Sequence, residues 1–126
     1  MNTSCLLIDD DLDDHEFFAI ALGKLDNNIR CLMADSASHA LQILADRSVV
    51  PQYIFIDFNM PRMSGLDCLI DLCRLEHLKD TQKFMFSTNL SSRIISLSKE
   101  LGAKDCLIKT TSMEELTRML KSIFYS

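Results

Sequence analysis

The sequence predicts an α/β fold: five parallel strands in the order 2-1-3-4-5, doubly wound with five helices into a three-layer sandwich. Three observations predict it. Short apolar runs alternate with longer amphipathic stretches along the chain, the pattern of strand–helix units that build a mostly parallel sheet. No Gly/Ser linker, repeat or low-complexity tract interrupts the 126 residues, so one domain over residues 1–126 is expected. Polar residues stand just after the apolar runs, at the carboxyl rim where wound sheets place their sites.

Each element has its own signal. Residues 5–8 form a short continuous apolar run that ends in turn-forming Asp, the first strand. Residues 13–25 read as a helix with Phe18, Ala21, Leu22 and Leu25 on one face. Residues 29–34 are the second strand. The second helix, 38–46, aligns Ala40, Leu41 and Leu44 with Ala37 just before it. Residues 53–56 are the third strand, bounded by Pro51 and Asp57. A third helix over 64–75 turns Leu66, Leu69, Ile70 and Cys73 inward. The fourth strand spans 83–86. The fourth helix, 91–101, stops at Gly102, where a left-handed residue closes a helix. Residues 105–108 are the fifth strand. Ser112 opens the last helix and Glu115 completes a capping box. Met113, Leu116, Leu120 and Ile123 form the apolar stripe of that helix. In a right-handed wind with the first strand central, strands one, three, four and five are neighbours in that order.

Composition excludes several classes. The net charge of -5 argues against a nucleic-acid surface, which needs a basic stripe. The longest apolar run, residues 17–22, is far too short to span a membrane, and the start of the chain is too weakly basic for a signal peptide. A cytoplasmic location is expected. The cysteines, Cys5, Cys31, Cys68, Cys73 and Cys106, are odd in number and show no C-x-x-C spacing. They read as small buried hydrophobes rather than a disulfide frame or zinc site. Cys73 and His77, four apart, are only two ligands for a metal. His15, His39 and His77 are not placed for triad chemistry.

The strand ends carry the chemistry. The first run ends in Asp9 and Asp10, the third in Asp57, the fourth in Ser87 and Thr88, and the fifth in Lys109. Two unit charges about 4 Å apart repel by roughly 4 kcal/mol at an effective dielectric near 20. Three carboxylates on one rim therefore call for a cation or a raised pKa. Oxygen donors of this kind suit Mg²⁺. A lysine opposite them can bind a phosphoryl oxygen as a point charge, a hydroxyl can donate to another, and Asp57 can act as the nucleophile that forms an acyl phosphate. Asp9 and Asp10 are also ordinary helix-capping residues, and Asp11, Asp13 and Asp14 read as a solvated first turn favoured by the helix dipole.

The segments "CLLIDDDLDD", "FIDFNMPRMSGLD", "FMFSTNLS" and "LGAKDCLIK", in this order, resemble the receiver domain of two-component response regulators of the stand-alone CheY-like kind. The resemblance covers almost the whole chain and implies the flavodoxin-like wind. It implies Asp57 as the phosphoacceptor, with the phosphoryl group taken from a sensor histidine kinase or a histidine phosphotransfer protein. It implies Mg²⁺ held by Asp10, Asp57 and the backbone carbonyl of Asn59, with Asp9 acting partly through water. Ser87 and Lys109 are implied as phosphoryl contacts. Asn59 and Asn89 match positions that line the water approach. Pro61 and Gly65 shape the loop after the nucleophile, with a positive φ expected at Gly65.

Two positions depart from the family pattern. Thr110 follows Lys109 where Pro is usual, so a trans bond is expected. Cys106 stands where Tyr or Phe is common, and its side chain is too small for an aromatic lever. No helix-turn-helix segment follows the fifth helix, so the expected output is contact with a protein target on the face of helix four, strand five and helix five. Ile95, Phe124 and Tyr125 are candidates on that face. Neither nucleic acid nor membrane is an expected partner. The rival reading is a non-phosphorylated interaction module on the same fold. A haloacid-dehalogenase-like phosphatase is disfavoured, because the position two after Asp57 is Asn59 rather than an acid. A flavin carrier is disfavoured, because the first strand ends in acids rather than a phosphate-cradling loop.

Overall fold

The computed structural model describes residues 3–125. The elements are β1 (Ser4–Ile8), α1 (Leu12–Leu25), β2 (Arg30–Ala34), α2 (Ala37–Leu44), β3 (Tyr53–Asp57), α3 (Gly65–Cys73), a 3-10 turn (Glu76–Leu78), β4 (Gln82–Ser87), α4 (Ser92–Glu100), β5 (Asp105–Ile108) and α5 (Met113–Phe124). The sheet order is β2-β1-β3-β4-β5, all pairs parallel, as the strand–helix alternation requires.

Strand periodicity sorts the core into two layers. Leu6, Ile8, Ile54, Ile56 and Met85 face one side, with Ala40, Leu44, Cys68, Leu69 and Leu72 of α2 and α3. Leu7, Phe55, Phe84 and Phe86 face the other, with Phe18 and Leu22 of α1 and Leu116 and Leu120 of α5. Phe55 stacks on Phe84 at 5.4 Å between centroids and meets Phe18 edge-on at 5.1 Å.

Capping residues set the helix starts. Asp11 accepts from Asp13 N at α1, Ser36 from His39 N at α2, Ser64 from Asp67 N at α3, Ser91 from Ile94 N at α4 and Ser112 from Glu115 N at α5. Each satisfies an orphan first-turn donor. Gly102 has φ 119 and closes α4 as expected.

Several expectations need correction. α3 buries Cys68, Leu69 and Leu72, a stripe rotated from the predicted one. Cys73 is exposed, its sulfur donating to the Leu101 carbonyl at 3.4 Å. α3 ends at Cys73, and His77 lies in the separate 3-10 turn, so the two do not share a helix. Only Cys5 and Cys68 are fully buried; Cys31 and Cys106 are half-buried. Gly65 does not have a positive φ; Arg62 does, at 71. Gly65 is required for space instead. A Cβ there would run into the Asp57 carbonyl and lie 2.7 Å from Phe58 Cα and 2.8 Å from Met85 Cε. Phe124 packs inward, 4.7 Å from the Tyr53 ring, leaving Tyr125 exposed at that end. No described helix is long and apolar enough to cross a membrane.

Candidate functional site

The parallel register builds the site. Ile8 pairs with Ile56, Asp57 with Phe86, and Ser87 with Ile108. The residues one or two steps beyond these strands, Asp9, Asp10 and Lys109, therefore emerge on one rim beside Asp57 and Ser87. The ladder continues past the strand ends, because Asp9 N donates to Ala34 O at 3.0 Å and Lys109 N to Ser87 O at 2.8 Å. The backbone thus places Asp9 against β2 and Lys109 against β4.

Asp9, Asp10 and Asp57 each offer a carboxylate oxygen, and these oxygens lie within 4.8 Å of one another. Asp9 and Asp57 are buried and Asp10 is exposed, so the cluster opens to solvent on one side. Lys109 closes the other side. Its Nζ donates to Asp9 Oδ2 at 2.6 Å and lies 3.5 Å from Asp57 Oδ1. The ammonium also sits over the Phe86 ring, 5.7 Å from its centroid, a favourable cation–π position. The peptide bond before Thr110 is trans, like every described bond, and the ammonium still reaches the pocket. Thr110 Oγ1 donates to Glu115 Oε2 and accepts from Ser112 N, tying the Lys109 loop to the start of α5.

Burial and charge shift the titrations. Burial pushes the Asp57 carboxyl up to about 6, with Lys109 opposing and Asp9 and Asp10 adding to the rise. Burial likewise raises Asp9, against the pull of Lys109. At Lys109 burial disfavours the ammonium, but hydrogen bonds to Asp14 and Asp9 outweigh it and lift the group above the ordinary lysine range. The pocket holds more negative charge than it neutralises.

Ser87 is 1% exposed, and among the described residues nothing hydrogen-bonds its Oγ. A buried hydroxyl without a partner costs free energy, which a ligand atom at the rim would offset. Asn59 and Asn89 are exposed; Asn59 N donates to Asp57 Oδ1 at 3.4 Å. The donor set is all oxygen and hard, which suits a Mg²⁺-like ion.

Asp9 and Asp10 are, by sequence, candidates for both helix capping and metal ligation. Asp9 does not cap α1, whose N-cap is Asp11; its Oδ1 accepts from Asp11 N at 3.0 Å and its Oδ2 from Lys109 Nζ at 2.6 Å. Asp14, expected in a solvated first turn, instead accepts from Lys109 Nζ through its Oδ2 at 2.8 Å. The first turn of α1 is acidic at both Asp13 and Asp14, as the helix dipole favours, so the sequence carried no signal for this contact. His15 Nε2 lies 2.6 Å from the Asp9 carbonyl oxygen, which can only accept, so this ring anchors the β1–α1 turn.

Fold and rim together define a doubly wound α/β protein with an acidic, lysine-bridged pocket at the strands' carboxyl ends. The chain belongs to the response regulator receiver domain family, whose model matches residues 5–121. It is 34% identical over 77 residues to the transcriptional regulatory protein MctR of Rhizobium johnstonii, covering 61% of this chain and 35% of that protein. It is 29% identical over 118 residues to the phosphate regulon transcriptional regulatory protein PhoB of Pseudomonas aeruginosa, covering 94% of this chain and 50% of that protein. The chain thus spans half the length of these curated relatives or less. The chemotaxis protein CheY4 of Vibrio cholerae has the same fold, with a TM-score of 0.85 at 22% identity, over 98% of this chain and 99% of that one.

Proposed function

We propose that this receiver accepts a phosphoryl group on Asp57 from a phosphohistidine donor, a sensor histidine kinase or a histidine phosphotransfer protein, in a Mg²⁺-dependent reaction. The observation that carries the reading is the convergence of three carboxylates within 4.8 Å, a lysine at their edge and a buried hydroxyl with no partner among the described residues. An Asp57 carboxylate oxygen attacks phosphorus and the donor's P–N bond breaks. Its electron pair stays on the departing imidazole nitrogen, and the product is an acyl phosphate on Asp57. Asp10, Asp57 and the Asn59 backbone carbonyl would hold Mg²⁺, with Asp9 contributing partly through water. When bound, the ion supplies positive charge against the phosphoryl oxygens.

Lys109 and Ser87 act from the other side. The Lys109 ammonium donates to one phosphoryl oxygen, and the Ser87 hydroxyl donates to another. Such a loose transition state needs mainly positioning and charge neutralisation. Asn59 and Asn89 stand where water approaches the acyl phosphate and tune its lifetime. Output is contact with a protein target on the α4–β5–α5 face, where Ile95 and Tyr125 remain candidates. Residues 1–126 act as one receiver unit in the cytoplasm, without nucleic acid or membrane as partners.

The test is direct. Incubate the protein with Mg²⁺ and a small phosphodonor and measure intact mass. One phosphoryl group is expected on the wild type, and none on Asp57→Ala or after chelation of the metal. An unmodified wild type, or equal modification of the variant, removes the proposal. It would favour the non-phosphorylated module, for which partner binding ignores Asp57→Asn.

A further inference from the structure

Asp14 belongs to the first turn of α1, next to the rim but outside the group of strand-end residues. Its Oδ2 lies 2.8 Å from Lys109 Nζ, across 95 residues of chain. The lysine side chain is 12% exposed and that of Asp14 35% exposed, so the pair spans the mouth of the pocket. An ammonium has three protons. Two make short bonds, to Asp9 at 2.6 Å and to Asp14 at 2.8 Å. Asp57 Oδ1, at 3.5 Å, lies beyond a good hydrogen bond. The resting lysine is therefore held more closely by α1 than by the nucleophile.

We propose that Asp14 is a positioning residue that clamps the Lys109 ammonium to α1 in the resting protein, a hold that must loosen for the ammonium to engage phosphoryl oxygens on Asp57. The inference rests on Asp57 being the acceptor. Two effects act in the same direction. Asp14 competes for a lysine N–H that the phosphoryl group needs. It also adds negative charge to a rim where Asp9, Asp10 and Asp57 already face a single ammonium, and a phosphoryl group brings more. Toward a cation the sign reverses, because Asp14 offsets the positive charge of Lys109 that would repel the ion. Asp14 thus disfavours the phosphoryl-like ligand and favours the metal, a pairing that a merely structural role would not produce.

Asp14→Asn keeps the shape and removes the charge. The experiment titrates beryllofluoride, a phosphoryl mimic, at saturating Mg²⁺, and separately titrates Mg²⁺ alone, both followed by amide NMR shifts. Asp14→Asn should bind beryllofluoride about fivefold tighter, the scale of a partly exposed ion pair, and Mg²⁺ alone with equal or lower affinity. Asp14→Glu, which keeps the charge, should stay close to wild type. The lysine ammonium spectrum should show a Lys109 signal that moves in Asp14→Asn and not in Asp14→Glu. Unchanged beryllofluoride affinity in Asp14→Asn overturns the clamp, as does equal weakening toward both ligands. A wild type that binds no beryllofluoride and takes no phosphoryl group instead takes down the Asp57 reading itself, a separate and distinguishable failure.

Discussion

The Ser87 hydroxyl is buried with nothing in the described structure to bond to, and that isolates its role from folding. Removing an unsatisfied buried hydroxyl is neutral or stabilising, by up to about 1 kcal/mol. Ser87→Ala should therefore melt at the same temperature as wild type or slightly higher. Its beryllofluoride affinity should fall about tenfold, the scale of a lost hydrogen bond to a charged group. Thermal melts and the same NMR titration check both parts; a drop in stability would mean that the hydroxyl has a structural partner. The contrast with Asp14 shows how far residue-level reading reaches. Ser87, Asp57 and Lys109 follow apolar runs directly, so strand ends announce them. Asp14 sits inside a helix, in a stretch where acids are expected for dipole reasons alone. Nothing in the sequence distinguishes an acid that faces solvent from one that faces a lysine 95 residues away.

Gly65 and α4 show the two ways an element serves the rim. At Gly65 the start of α3 presses on the Asp57 carbonyl and Phe58, so a methyl group must push backbone rather than a flexible side chain. Gly65→Ala should cost about 2 to 3 kcal/mol and should weaken Mg²⁺ binding, because the segment it displaces carries the nucleophile. Denaturant unfolding and a Mg²⁺ titration test this; an unperturbed melt would show that α3 shifts freely. α4 is held differently. Among the described residues its one buried member is Ser98, whose hydroxyl turns back to the Ile94 carbonyl at 2.7 Å. With so little apolar anchoring, α4 should exchange its amides faster than α1 and α5, measured by hydrogen-exchange mass spectrometry. Equal protection in all three would refute this. The strands, the sheet order and the Ser112 cap were legible, because each rests on local pattern and chirality. The face of α3 was not, because Leu66 and Ile70 match a helical period as well as Cys68 and Leu72 do. Packing against β3 chooses between them. The need for Gly65 was legible, but its reason was not: close approach between two segments leaves no trace in φ preference.

At the scale of the whole molecule, the rim makes folding stability depend on pH and metal together. Burial raises Asp57 from 3.8 to about 6 and raises Asp9 as well. A carboxyl raised on folding binds protons more tightly in the native state. Between the unfolded value and the folded one, the native protein carries more protons than the unfolded chain, so stability falls as pH rises through that window and levels off above it. For Asp57 the window runs from about pH 4 to about pH 6, and the shift corresponds to about 3 kcal/mol at most. Lys109, raised above the lysine range, keeps its charge across this interval and adds no slope there. Metal-free protein should then melt at a higher temperature at pH 5 than at pH 7.5. Exposed acids such as Asp46, which is lowered by its Ser48 hydrogen bonds, act in the opposite sense at lower pH, so the Asp57 share is read from a difference. Asp57→Asn removes a buried charge that is ionised at pH 7.5. It should gain stability over wild type at pH 7.5 and lose most of that advantage at pH 5. Saturating Mg²⁺ should raise the wild-type melting temperature at pH 7.5 by mass action on the native state, and do so much less in Asp57→Asn. Calorimetry at two pH values with and without the metal gives all of these comparisons. An Asp57→Asn advantage that does not shrink on acidification would mean that the carboxylate is already compensated in the native pocket, and the need for a cation at this rim would lose its physical basis.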